Sequence, residues 1–186
     1  MSETIWNDLL AANEAAAVPV DDNAAEPPHR PKAAILACSD ARVPPSVIFD
    51  QPPGSLFVVR IAGNTASDAG LASLDYAVAT LGVELVVVLG HTGCGAAQAA
   101  AAGACEGMLE PIVGPICEIA REHPTADLDK LIELNVLNTI ESLRQHRGPV
   151  GSAARSDALD LRGAIYDLRS GRLRTLSTDL VSTNHH

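Results

Sequence analysis

Two short segments of the chain carry side chains that suit metal chemistry: CSDAR at residues 38–42 and HTGC at residues 91–94. Zinc prefers thiolate and imidazole ligands, and a set of two thiolates and one neutral histidine leaves its fourth tetrahedral position open. Water bound at such a position has its pKa lowered from about 15.7 toward about 7, which makes hydroxide available at neutral pH. The pattern therefore predicts a catalytic zinc site formed by Cys38, His91 and Cys94.

Asp40 and Arg42 follow the first predicted ligand by two and four residues. They form either an ordinary ion pair or a catalytic pair. In the catalytic interpretation, Arg42 holds the Asp40 carboxylate by a charge-assisted hydrogen bond. Asp40 accepts a hydrogen bond from zinc-bound hydroxide and so aims the hydroxide lone pair at an electrophile. A histidine and a cysteine three residues apart also occur by chance, since a lone buried cysteine is usually a small apolar residue. The coincidence of all five residues favours the metal site.

The elements that must position these residues form an alternating pattern. Short apolar runs at 33–37, 55–60 and 84–90 predict buried strands, and helical patterns between them predict the crossovers of a parallel sheet. Both chemical segments directly follow such a run. Because the carboxyl ends of parallel strands lie along one edge of a sheet, we expect the two thiols and the imidazole to converge there. The predicted helices outside the N-terminal region are 67–81, 95–102, 108–121 and 125–146.

The two ends of the chain differ from this alternation. Runs on either side of Ser170-Gly171 predict a hairpin, which adds an antiparallel edge strand near the C-terminus. An N-terminal helix is predicted over residues 2–17, followed by a proline- and acid-rich tether. The predicted fold class is therefore α/β, with a parallel sheet core, flanking helices and an N-terminal helical arm. We expect the arm and tether over residues 1–31 and a zinc-containing catalytic domain over residues 32–186.

Composition excludes several classes of protein. Hydrophobic residues make up 47% of the 186 residues, enough to form a compact core. The formal net charge of −10 disfavours nucleic acid and anionic membranes as partners. No apolar run approaches the ~20 residues of a membrane span, and no leader pattern opens the chain, so a cytoplasmic location is expected. Four cysteines are too few for a disulfide scaffold, and Cys105 and Cys117 are predicted to be ordinary core or surface thiols.

Four segments together resemble the β-class carbonic anhydrases. They are CSDARVPPSVIFD (38–50), LFVVRIAGN (56–64), GHTGCGA (90–96) and GAIYDLRSG (163–171). The resemblance runs from about Pro31 to Thr178 and implies the zinc-dependent, reversible hydration of CO₂ to bicarbonate and a proton. It also implies that Cys38, His91 and Cys94 are the zinc ligands, with Asp40 and Arg42 as the catalytic dyad.

The resemblance further implies a substrate pocket. Phe57 and Tyr76 fall where the family lines that pocket with aromatic side chains, although core packing explains each equally well. His29 stands where many members have a glutamine that hydrogen-bonds the substrate, and it is otherwise an exposed linker residue. Ile35 replaces the tryptophan of bicarbonate-inhibited members, so we expect their regulatory anion pocket to be absent even though Arg60 occupies a matching position.

The family also varies in its zinc site and in its assembly. In some relatives the aspartate replaces water as the fourth ligand at low pH, and the sequence leaves open whether Asp40 does so. Family members are dimers or assemblies of dimers with the active cleft at the subunit interface, so we expect a homodimer or a dimer of dimers. The N-terminal helix, separated from the domain by its tether, is expected to pack on the second subunit.

Three other functions compete with CO₂ hydration. The same scaffold and metal serve carbonyl sulfide or carbon disulfide hydrolysis in some relatives. A zinc-stabilised, non-enzymatic bicarbonate-sensing module would have its fourth position permanently closed by Asp40. A dinucleotide-binding loop at residues 93–98 is disfavoured, because Gln98 stands in place of the third glycine.

Overall fold

A computed structural model describes residues 2–17 and 29–177 of the chain. Its α-helices are α1 (Ser2–Ala16), α2 (Pro45–Ile48), α3 (Asp68–Ala79), α4 (Gly95–Ala101), α5 (Glu110–Glu122), α6 (Leu128–Gln145) and α7 (Pro149–Arg155). Its strands are β1 (Ala33–Ala37), β2 (Leu56–Arg60), β3 (Leu85–His91), β4 (Asp160–Asp167) and β5 (Arg172–Leu176). The stretch predicted as a tether lies, over residues 18–28, outside the described residues.

The strands form one sheet in the order β2-β1-β3-β4-β5. The first four are parallel, and β5 pairs antiparallel with β4. Ala37, the last residue of β1, lies opposite both Arg60 of β2 and Leu89 of β3. The carboxyl ends of these three strands therefore lie side by side, as the sequence predicts. The α/β class and the antiparallel C-terminal edge are confirmed.

The two faces of the sheet are covered differently. Ala34 and Leu36 of β1 belong to the large core cluster, which also contains buried residues of α3 to α7. Ala33, Ile35 and Ala37 alternate onto the other face, where a smaller cluster is formed. Partly buried residues around the smaller cluster come from the strands and from the end of α2. Within the described residues, the long helices thus cover one face, and the other face is left comparatively open.

Helix α6 packs closely on β3 just before the predicted histidine ligand. Its N-terminus is capped by Asp127, whose side chain accepts a hydrogen bond from the Lys130 N–H, and this cap explains why the helix begins at Leu128 rather than at the predicted Thr125. A Cβ on Gly90 would lie 2.6 Å from the Val136 side chain. Glycine at that position therefore allows the close approach of α6 that seals the end of β3.

Three local features differ from the sequence-based expectation. Helices α2 and α7 were not predicted, because four and seven residues are too few to show a helical period, although each begins with the proline that favours a helix start. Cys105 and Cys117, expected as separate thiols, form a disulfide across a separation of 12 residues. The sequence spacing does not reveal this pairing, because the turn after α4 returns the chain to the buried face of α5. Among the helices of the described residues, none has the length and apolar character that crossing a membrane requires.

Candidate active site

Cys38, His91 and Cys94 meet at the carboxyl edge of the sheet. Cys38 directly follows β1, His91 ends β3, and Cys94 precedes the first residue of α4. All three are buried, and their ligand atoms lie within 4.8 Å of one another. The sequence-based expectation that these residues converge is therefore met by a group that suits a metal ion.

The orientation of His91 fits a metal ligand. Its ring is 0% exposed, and its Nδ1 lies 3.0 Å from the carbonyl oxygen of Thr92, which makes Nδ1 the protonated nitrogen. Its Nε2 is buried and has no hydrogen-bond partner among the residues that the structure describes. A buried nitrogen lone pair facing two cysteine sulfurs is the arrangement that a zinc ion would satisfy.

The two cysteines differ in the protonation that their contact imposes. The Cys94 thiol hydrogen-bonds to Cys38 and lowers the pKa of Cys38, and the same contact raises the pKa of Cys94. One sulfur is therefore already a thiolate near neutral pH. A divalent metal bound here would supply the positive charge that favours loss of the second proton, because metal ligation requires both sulfurs to be deprotonated.

Asp40 and Arg42 form a two-pronged ion pair beside this group. Arg42 donates from Nε to Asp40 Oδ1 at 2.9 Å and from Nη2 to Oδ2 at 2.6 Å, and its backbone N–H also donates to Oδ1. These bonds hold the pKa of Asp40 well below its usual range. The carboxylate is thus ionised at every working pH. Its Oδ2 lies 3.9 Å from His91 Nε2, so the dyad borders the ligand group.

The backbone after β1 is held from the neighbouring strand. Arg60, at the end of β2, donates from Nε to the Cys38 carbonyl at 3.0 Å and from Nη2 to the Asp40 carbonyl. The guanidinium is therefore bound to the segment that carries one ligand and the dyad.

His29, Phe57 and Tyr76 form a ring ladder, with Phe57 in the middle. Its ring centroid lies 6.2 Å from that of His29 and 6.2 Å from that of Tyr76. The structure thus brings the three predicted pocket residues together. Phe57 pairs with Ala34, four residues before Cys38, so Phe57 lies about 13 Å back along the strands from the ligands of the same chain.

Gly63 and Asn135 contact this site and were not singled out from the sequence. The Gly63 N–H donates to Cys38 Sγ at 3.3 Å, and Asn135 Nδ2 donates to the Gly63 carbonyl at 2.8 Å. The LFVVRIAGN segment contains Gly63, but a glycine has no functional side chain that would mark it as a site residue. The sequence signal that could have identified Asn135 was its position on the apolar face of α6.

Comparison with known proteins gives a consistent result. A family profile described as "Carbonic anhydrase" matches residues 33–173. The chain is 41% identical to a carbonic anhydrase of Pseudomonas aeruginosa, over 84% of this chain and 79% of that protein. It is 35% identical to carbonic anhydrase 2 of Mycobacterium tuberculosis, over 77% of this chain and 73% of that protein.

Solved structures agree with the sequence relatives. The β-carbonic anhydrase CafA of Aspergillus fumigatus superposes with a TM-score of 0.73 at 32% identity, covering 80% of this chain and 76% of that one. A structure from a study of two tetrameric β-carbonic anhydrases of Sordaria macrospora has a TM-score of 0.73 at 25% identity, covering 95% and 93%.

With this fold, this ligand group and these relatives, the chain belongs to the β-class carbonic anhydrase family. It is an enzyme of the lyase type that reversibly hydrates CO₂ to bicarbonate and a proton. The comparisons do not support carbonyl sulfide or carbon disulfide hydrolysis, nor a non-enzymatic sensing module.

Proposed function

We propose that the chain hydrates CO₂ with a zinc ion held by Cys38, His91 and Cys94. The observation that carries the proposal is the buried, unpartnered Nε2 of His91, which lies within 4.8 Å of both cysteine sulfurs. Two thiolates cancel the charge of Zn²⁺, and three protein ligands leave one position for water. When bound, zinc supplies hydroxide near neutral pH by lowering the pKa of that water.

Asp40 and Arg42 are proposed as the catalytic dyad. Arg42 keeps the Asp40 carboxylate ionised and fixes its orientation by two parallel hydrogen bonds. The ionised Asp40 then accepts a hydrogen bond from the reacting water, and this bond orients the water oxygen's lone pair toward CO₂. Because both carboxylate oxygens are bound to Arg42, the arrangement supports the open state of the site rather than Asp40 as a fourth ligand. The closed state would require these bonds to break.

The ring ladder is proposed to line the pocket of a second copy. Phe57, the middle ring, lies about 13 Å back along the strands from the ligands of its own chain, too far to touch a molecule as small as CO₂ bound there. Tyr76 is nonetheless 48% exposed, and it is available to a neighbour. In a homodimer, His29, Phe57 and Tyr76 of one chain would line the substrate pocket beside the zinc ligands of the other.

The N-terminal arm supports the same assembly. Helix α1 has no buried residue, and its apolar side chains Ile5, Trp6, Leu9 and Leu10 are all 47% to 59% exposed. A continuous apolar stripe of this kind marks a protein contact. We propose that residues 1–31 form an arm that packs on the partner of the domain 32–186, as a dimer or as a dimer of dimers. Deleting residues 1–30 should weaken association and lower the number of chains per particle, and an unchanged number of chains would contradict the role of the arm.

A cytoplasmic location is also a proposal, supported by the low cysteine content. It has a direct test in the Cys105–Cys117 pair, because a reducing compartment keeps such residues as thiols. Rapid alkylation of freshly lysed cells should modify both of them. An unmodified, disulfide-linked pair would place the protein in an oxidising compartment.

The experiment that tests the function combines metal analysis with two substrates. Purified protein should contain one zinc ion per chain and accelerate CO₂ hydration in a stopped-flow assay. Sulfide release from carbonyl sulfide or carbon disulfide should be much slower under the same conditions. Protein that contains no transition metal and that zinc does not activate would contradict the proposal, and faster sulfide release would change the substrate.

A further inference from the structure

Asn135 is a polar side chain on the buried face of α6. The buried residues of that helix are Leu131, Ile132, Asn135, Val136, Thr139, Ile140 and Leu143. An amide placed among such side chains destabilises the fold unless it is hydrogen-bonded. Asn135 is 3% exposed, and its Nδ2 donates to the carbonyl oxygen of Gly63 at 2.8 Å, 72 residues earlier in the chain. The one polar contact of this amide that the structure records is therefore made to the backbone beside the metal site.

Gly63 is held in a single orientation. Its φ is 69°, in the left-handed region that favours glycine, and a Cβ there would lie 2.8 Å from Ile116 Cδ1 and 3.0 Å from Ala96 Cβ. Side chains of α4 and α5 thus press against its Cα while α6 binds its carbonyl. The N–H of the same residue donates to Cys38 Sγ at 3.3 Å. The N–H and the carbonyl of Gly63 belong to successive planar peptide units joined at its Cα, so a bond that holds the carbonyl also restrains the direction of the N–H.

Cys38 is therefore supported at two points. Arg60 binds its carbonyl oxygen and fixes the backbone, and the Gly63 N–H binds its sulfur. An N–H donor stabilises the negative charge of a thiolate and restricts the directions in which its lone pairs point. Groups that orient metal ligands in this way control how tightly the metal is retained.

We propose that Asn135 is a positioning residue for the Cys38 ligand, acting through the backbone of Gly63. By holding the Gly63 carbonyl, Asn135 keeps the Gly63 N–H on the Cys38 sulfur and the sulfur directed at the metal. This inference rests on the proposed zinc-binding role of Cys38. It assigns to α6, which carries none of the zinc ligands, a direct part in metal retention.

The test compares zinc release from wild type, Asn135→Leu and Thr139→Val. Leucine has the same branching at Cγ and the same number of heavy side-chain atoms as asparagine, but it is bulkier and cannot donate a hydrogen bond. Thr139 is also buried, at 4% exposed, and lies one turn further along the same face, so Thr139→Val is the matched polar-to-apolar control. Transfer of zinc to a colorimetric chelator should be about 10–100-fold faster in Asn135→Leu and unchanged in Thr139→Val. Should Asn135→Leu fail to fold, Asn135→Ala, which cannot overpack the core, takes its place.

A spectroscopic measurement separates positioning from general destabilisation. In cobalt-substituted protein, loss of the N–H donor leaves more charge on the sulfur, so the thiolate-to-cobalt absorption should move to longer wavelength in the Asn135 variant alone. The inference would be overturned if the Asn135 variant released zinc at the wild-type rate, kept the absorption band of wild type and lost only as much stability as Thr139→Val. The proposed function would then remain intact. Wild-type protein that retains no zinc would overturn both.

Discussion

The metal edge of the sheet, where Cys38, His91 and Cys94 meet, and the ring ladder differ in how far one chain completes them. At the metal edge the ligands are buried, and hydrogen bonds from Arg42, Arg60 and Gly63 fix the dyad and the segment after β1. In the ring ladder, by contrast, His29 stacks on Phe57, Phe57 is tilted against Tyr76, and Tyr76 is 48% exposed. The difference supports our proposal that one chain builds the metal site by itself and that the substrate pocket is completed by a second copy.

Removing a ligand should have the largest effect. Cys94→Ser should lose zinc and lower the rate of CO₂ hydration by more than about 1000-fold, because enzyme rate enhancements of about 10⁶ or more depend on the intact centre. Metal analysis and stopped-flow hydration check both points. Cys105→Ser, which removes a sulfur elsewhere in the chain, is the control and should retain zinc. Stoichiometric zinc and a normal rate in Cys94→Ser would remove that residue from the site.

Disrupting the dyad should have a smaller effect that leaves zinc in place. Asp40→Asn weakens the charge-assisted pair with Arg42 and should lower turnover about 10–100-fold, the range for groups that support a metal centre. Asp160 and Arg162 form an exposed ion pair of the same spacing, with Arg162 Nε 2.7 Å from Asp160 Oδ2, so Asp160→Asn is a matched control. Equal turnover in the two variants would make the Asp40 pair an ordinary ion pair.

The comparison between the two regions is sharpened by mixing two defective chains. Tyr76→Ala alone should lower the catalytic efficiency about 2–10-fold, since an aromatic contact is worth about 0.5–1.5 kcal/mol. A hybrid dimer of a Tyr76→Ala chain with an Asp40→Asn chain has one intact site if the ring acts across the interface. Purified hybrid should then show about half of the wild-type efficiency. If the ring serves its own chain, the hybrid will instead show no more than half of the Tyr76→Ala efficiency, plus the small remaining activity of the Asp40→Asn site.

The disulfide should matter for stability and hardly for activity. Breaking a cross-link with a 12-residue separation should lower the free energy of unfolding by about 2–3 kcal/mol. Denaturant titration with and without a thiol reductant measures this loss, and Cys105→Ser should be insensitive to the reductant. CO₂ hydration should change less than about 2-fold. A larger loss of activity on reduction would mean that the turn after α4 supports the metal edge.

The sequence predicted most of what lies on a local pattern. The strands at 33–37, 55–60 and 84–90 have apolar periodicity, and the ligands follow them directly, so the meeting of Cys38 with His91 and Cys94 follows from the geometry of a parallel sheet. The ring ladder, in contrast, was expected only by family resemblance. Nothing in the spacing of His29, Phe57 and Tyr76 indicates that they stack.

Contacts between distant segments were the features that the sequence did not reveal. The Cys105–Cys117 disulfide and the bond from Asn135 to Gly63 both depend on how a helix packs on the rest of the fold. Asparagine on an apolar helix face signals that some buried partner exists. It does not identify the partner, because many backbone carbonyls are within reach of such a face.

The central claim is that this edge of the sheet carries out zinc-dependent hydration of CO₂, and its most direct test is the stopped-flow hydration rate of zinc-loaded protein between pH 6 and 9. Asp40 stays ionised throughout that range, because Arg42 holds its pKa far below it. The rate should therefore follow the ionisation of zinc-activated water and rise between about pH 7 and 8.5. A rate that stays flat from pH 6 to 9, or one equal to that of zinc-stripped protein, would contradict the account.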